Sequence, residues 1–238
     1  MKTVAILQPA YLPWLGFFER IALCDEVIVL DHVRIDRNSK TKFANRNRVR
    51  TATGWSWLTV PLCTKGREDD LSLAALEIDN TGRWREKHWA TIEQNYRSAP
   101  FFDHYAPALS AVYDQDWPRL LPLCERITVD LLRAFQITTP LRSSSSMQSR
   151  SSKSALILDL CREADATRYL SGPLGRDYLD LEAFAYAGID VRFHDYFHPQ
   201  YQQAYAGFGP CMFAFDLLFH AGPKARGILR TTGEVLAA

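Results

Sequence analysis

Four places in the chain carry residue types that do chemistry. The first is Asn45-Arg46-Asn47-Arg48, where amides alternate with guanidiniums. Arg34, Arg37, Lys40, Lys42 and Arg50 lie close by, and only Asp36 offsets them. Guanidinium forks fit the oxygens of a phosphate or carboxylate, and neighbouring amides can orient the rest of a ligand. The stretch therefore reads as an anion site, with a solvated basic loop as the plain alternative. The second place is histidine. His88 and His198 are candidate general bases for an acceptor amine or hydroxyl, because imidazole titrates nearest neutrality. For His88 the alternative is a packed, hydrogen-bonded core histidine. The third is the pair of apolar runs at 4–7 and 27–30. Gln8, Tyr11 and Trp14 follow the first and Asp31 ends the second, all as candidate site residues, with Asp31 in the catalytic set. The aromatics there serve equally well as core. The fourth is the Gly-containing turn after Tyr169-Leu170, where Ser171, Gly172 and Tyr178 are candidate ligand contacts, joined by Tyr201 further on.

Elements must position these groups. Two short apolar runs around a helical pattern at 16–23 read as a βαβ unit of buried parallel strands. Ligands gather at the carboxyl ends of such strands, which puts Gln8, Tyr11, Trp14 and Asp31 at one rim. Pro9 and Pro13 stiffen the loop between them. A third strand is expected over 55–62 and a fourth over 76–78. Residues 81–94 have helical spacing, and 105–135 read as helical with breaks at Pro107, Pro118 and Pro122. The serines of 142–153 read as a loop or linker. A helix over 153–163, a strand end at 169–170, a strand over 188–193 and an aromatic helical segment over 208–220 complete the chain. The segment 43–50 is either extended or turns helical at Asn45. If extended, Asn45 and Asn47 share one side and Arg46 and Arg48 the other. Asp216 within an apolar run needs a partner, and an arginine of 46–50 is the expected one.

The pattern amounts to an α/β protein: a Rossmann-like mixed or parallel sheet flanked by helices, with a largely helical middle section. It is taken as a single domain over 1–238, with a helical subregion at 81–135. The order of motifs resembles the WbqC-like family. QPAYLPWLGFFERI, DEVIVLDHV and ANRNRVR carry the likeness first. WLTVPL, WREKHWATIEQNYRSAPFF, YLSGPLGRDYLD and DLLFHAGP continue it over nearly the whole chain. The resemblance implies a place in surface-polysaccharide gene clusters and a glycine-transferring role. It supplies no catalytic residues, and where the family pattern has His before Gln-Pro this chain has Leu7. The start of the chain also resembles pantothenate-synthetase-like nucleotidyltransferases, but their HxGH signature is missing.

Several classes are set aside by what the chain lacks. It has 238 residues and a formal net charge of +1, so no global field draws it to nucleic acid or membrane. No apolar run approaches the ~20 residues of a membrane span, and no signal-peptide pattern opens the chain, which implies a cytoplasmic protein. The five cysteines are scattered and form no CxxC, so reduced thiols are expected. His194, Asp195 and His198 lack a second cluster, so no metal is expected, and no cofactor is specified. Neither GxxxxGK[ST] nor GxSxG is present. The reading is a group transferase acting on a small anionic ligand, whether nucleotide, sugar phosphate or aminoacyl donor. The alternatives are a binding protein without chemistry and a nucleotidyltransferase-like or tRNA-interacting enzyme. Nucleic acid as a partner is not favoured.

Overall fold

The computed structural model describes residues 1–34, 44–64, 72–229 and 233–237. Arg37, Lys40 and Lys42 of the basic stretch, and the charged loop over 65–70, lie outside them. Strand β1 (Thr3–Leu7) is followed by helix α1 (Leu15–Ala22) and strand β2 (Glu26–Val29), and the two strands pair in parallel. Both runs are apolar on both faces because both faces are covered. Ala5 and Leu7 enter one core with α1, while Val4 and Ile6 enter the other.

The remaining strands of the main sheet are β5 (Leu141–Ser143), β6 (Arg168–Ser171), β7 (Asp190–Tyr196) and β8 (Gly233–Ala237), in the order β5-β2-β1-β6-β7-β8. The first five run parallel, and β8 pairs antiparallel with β7. Strand order thus reverses between β1 and β6, and such a switch point opens a crevice at the carboxyl ends of the strands. The middle section is helical: α2 (Trp84–Tyr96), α3 (Phe102–Tyr113) and α4 (Leu120–Ala134) pack with α1, α7 (Phe215–Ala221) and α8 (Ala225–Leu229) on one face. Helices α5 (Lys153–Glu163) and α6 (Leu181–Tyr186) cover the other.

Several expectations change. The Ser-rich stretch is not a loop throughout: it holds edge strand β5 and a 3-10 turn, Ser144–Ser146, because β2 offers an open edge and Asp31 collects the serines. The strand expected over 55–62 is shorter. It is β4 (Gly54–Thr59), paired with β3 (Arg46–Thr51) in a separate hairpin rather than in the main sheet. Residues 76–78 form only isolated bridges, Leu62 with Ile78 and Glu77 with Arg119. The strand expected over 188–193 is β7, which runs on to Tyr196 and is not the last, since β8 follows it, and the helix expected over 208–220 starts only at Phe215.

Candidate functional site

At the rim of the sheet, Gln8 is exposed just after β1. Asp31, just after β2, is buried and wholly engaged. Its carboxylate accepts from the Ser144 hydroxyl (2.8 Å), the Ser145 amide (2.8 Å) and the Ser145 hydroxyl (2.6 Å). Burial pushes its pKa up, but the bonds from Ser145 and Ser144 prevail and hold it below the usual value. Asp31 therefore fastens the end of β2 to the turn after β5. Beyond β6, the buried Ser171 hydroxyl donates to the Gly172 carbonyl (3.1 Å), while Tyr178 stands half exposed on the following turn. A Cβ on Gly172 would collide with the Arg20 guanidinium, so α1 and this turn meet there.

The face of β7 toward α1 carries His194 and Tyr196, and the same alternation leads on to His198. His194 Nε2 meets the Glu19 carboxylate at 2.8 Å, both side chains buried. Tyr196 packs edge-on against Trp14 (5.1 Å between centroids), and both rings crowd Gly16. His198 lies 5.6 Å from the Tyr196 ring, 5.3 Å from Phe208 and 6.2 Å from Tyr201. Its Nδ1 sits 3.1 Å from the Pro199 carbonyl, which fixes the proton there. The other nitrogen, Nε2, is buried with no hydrogen-bond partner among the described residues. Burial lowers the pKa of His198, so the imidazole is neutral and Nε2 carries a lone pair. Alongside, residues 200–208 form an open concavity of about 620 Å³, lined by Tyr201, Tyr205, Phe208 and glutamine side chains.

Beneath that loop, Asp216 is fully buried. It accepts from Tyr96 (2.7 Å), Tyr201 (2.7 Å) and Gln203 (3.0 Å). The expected arginine partner is corrected: Arg50 reaches Asp216 only through its backbone amide, which donates to the Tyr96 hydroxyl. The Arg50 guanidinium instead binds the carbonyls of Gly54 (2.6 Å) and Ala206 (2.7 Å), tying the hairpin to the 200–208 loop. A fully buried carboxylate is matched more cheaply by hydroxyls than by a second buried charge.

The hairpin is extended, and its two faces split as alternation requires. Asn47 is buried and donates to the Leu12 carbonyl, while Asn45 donates to the Val60 carbonyl (2.8 Å), so both amides hold backbone. On the other face the Arg46 guanidinium lies 4.4 Å over Trp57, and Arg48 lies 5.0 Å from Trp55 and 5.6 Å from Trp57. Stacking fixes the guanidinium planes. His88 belongs to a stripe, Trp84, His88, Ile92 and Tyr96, spaced four apart along α2. Its Nδ1 is 2.9 Å from the Tyr11 hydroxyl, which is 2.7 Å from that of Tyr113, and the Thr59 backbone binds it as well. Burial takes its pKa down to about 4.

The structure thus joins Trp14, His198 and Tyr201 in one aromatic cluster. Arg48 lies beside that cluster through its bridge to Met212. Gln8, Ser171, Gly172 and Tyr178 lie at the sheet rim, and Asp31, Tyr11 and His88 are held in closed hydrogen-bond sets. Sequence reasoning missed Glu19, Arg20 and Tyr196. One signal was available: Leu15 and Phe18 mark the inward stripe of α1, and Glu19, four residues after Leu15, falls on it.

The model of the WbqC-like protein family matches residues 8–228, and the chain belongs to that family. It is 36% identical over 232 residues to an uncharacterized protein of Mycobacterium tuberculosis, covering 97% of this chain and 98% of that protein. No solved structure matches significantly. Among the described residues, no helix is long and apolar enough to cross a membrane.

Proposed function

We propose that this family member is a group transferase that moves an aminoacyl group, glycyl in the simplest case, onto an amino-sugar or similar acceptor in surface-polysaccharide or related small-molecule biosynthesis. The observation that carries this reading is His198: its Nδ1 is committed to a carbonyl, its Nε2 has no partner among the described residues, and its ring packs against Tyr201 and Phe208, which line the concavity. A buried imidazole nitrogen with no partner asks for a proton donor, and an acceptor amine or hydroxyl is one. In the transfer, the acceptor nitrogen attacks the acyl carbonyl carbon and the bond from that carbon to the donor oxygen breaks. His198 Nε2 takes the acceptor's proton and returns it to the departing oxygen. Arg46 and Arg48, their planes fixed on Trp57 and Trp55, suit the anionic part of a nucleotide, sugar phosphate or aminoacyl donor.

The test is transfer of labelled glycine from an activated glycyl donor to nucleotide-linked amino sugars. His198→Ala should lower kcat by about 10²–10⁴, the range for a lost general base, with ligand affinity within about tenfold of wild type. Wild-type turnover in that variant would overturn the role of His198. Binding of sugar nucleotides by a wild-type protein that transfers nothing would favour the second reading, a binding protein without chemistry, which the stacked arginines would serve equally.

A further inference from the structure

Among the described residues, Arg20 is a cation without a counter-charge at a place where α/β sheets bind ligands. It projects from α1 against Gly172, the residue that follows β6, close to the point between β1 and β6 where strand order reverses. Its Nε is buried and has no hydrogen-bond partner among the described residues. The groups that bear on it electrostatically are Tyr169, Cys24 and Tyr178, none of them a carboxylate. Glu19, its neighbour in sequence, is turned to His194 instead. Burial without a partner disfavours the guanidinium charge and costs free energy that the fold has no evident need to spend. A charge kept under those conditions calls for an anion that arrives from outside.

We propose that the crevice between the carboxyl ends of β1 and β6 is an oxyanion site, in which the Arg20 guanidinium receives a phosphate or carboxylate group of a small molecule. Gly172 is the residue that makes room for it. Any side chain there would meet the guanidinium and push it aside, so the turn after β6 and the cation are matched in shape. Gln8, exposed just after the carboxyl end of β1, carries an amide able to bond the ligand's neutral part. The site lies on other residues than the stacked arginines of the hairpin, and it stands whether or not His198 performs transfer.

The proposal gives the Arg20 side chain opposite signs in stability and in binding. Arg20→Met keeps length and removes the charge, so the ligand-free protein should melt at or above the wild-type temperature, as expected when an unpaired buried charge is replaced by an apolar group. The probes are glucose 1-phosphate, glucuronate and glucose, titrated calorimetrically. Wild type should bind one of the two anions at least about tenfold more tightly than glucose, the worth of a charge-assisted bond, and Arg20→Met should lose that margin. Preference for glucose 1-phosphate supports a phosphoryl ligand, and preference for glucuronate supports a carboxylate. Gly172→Ala, which leaves Arg20 in the chain but displaces it, should lose the same margin. An Arg20→Met protein that melts well below wild type, anions bound no better than glucose, or an undiminished margin in Gly172→Ala would each overturn the site.

Discussion

His88 is a buried imidazole and His198 a partly buried one, both of lowered pKa, yet their surroundings separate them. His88 has two partners, Tyr11 and the Thr59 backbone, whereas His198 has one partner and, among the described residues, none at Nε2. The first is a structural histidine that stays neutral until the pH nears 4. Its effect on stability has a definite sign. Below pH ~6.5 the unfolded chain takes a proton that the folded protein refuses, so folding loses ground as pH falls from there toward 4, by about 3 kcal/mol in all. Denaturant unfolding at pH 7 and pH 4.5 measures this, and His88→Gln should flatten the dependence by most of that amount. An unchanged slope would mean that His88 is charged in the fold. For His198, the lowered pKa implies that turnover persists below the ordinary histidine range, and that the acid limb of kcat/KM vanishes in His198→Ala together with the rate.

Between elements, the decisive contacts are carboxylates that collect hydroxyls. Asp31 gathers Ser144 and Ser145 and so fixes β5 on the edge of β2. Asp216 gathers Tyr96 from α2, with Tyr201 and Gln203 from the loop over 200–208, and so fixes the floor of that loop. The alternation that carries His194 and Tyr196 along β7 passes His198 beyond the sheet edge, where the loop closes on it. Asp31→Asn should therefore act on stability rather than on binding. It weakens charge-assisted bonds and leaves a hydroxyl or amide underserved, at about 1–3 kcal/mol. This contribution of Asp31 is present above the unfolded carboxylate pKa, near 3.8, and is lost as pH falls through the lowered folded value. A melting temperature equal to wild type, combined with weakened ligand binding, would return Asp31 to the site.

At the scale of the molecule, a net charge of +1 gives no broad attraction for polyanions, while cations concentrate locally on the hairpin and at Arg20. If those cations are the anion sites proposed above, the ligands they take carry one or two phosphates. Affinity for a sugar nucleotide should fall less than about tenfold between 50 and 200 mM salt, whereas a nucleic acid held through 6–10 phosphates would lose about 10³–10⁵ over that range. Measured salt slopes for a sugar nucleotide and for tRNA decide between the two, and a steep slope with tight RNA binding would move the protein into the nucleic-acid class. The two cores on either side of the sheet keep the rim of the parallel strands as the place where loops from both halves of the chain meet.

The sequence by itself determined the βαβ start, the parallel sheet and the helical middle, because period and apolarity are local properties of consecutive residues; it left 43–50 open between strand and helix, and pairing with β4 decided for the strand. It also marked Asp216 as a carboxylate in need of partners. Which partners, only the tertiary structure decided: Tyr96 and Tyr201 stand 120 and 15 residues away from it. The same holds for the serines around Asp31, more than 110 residues distant, and for Arg20 against Gly172. A side chain's charge is written in the sequence, but whether that charge is met, shared or left waiting depends on groups that only the completed fold brings within about 3 Å.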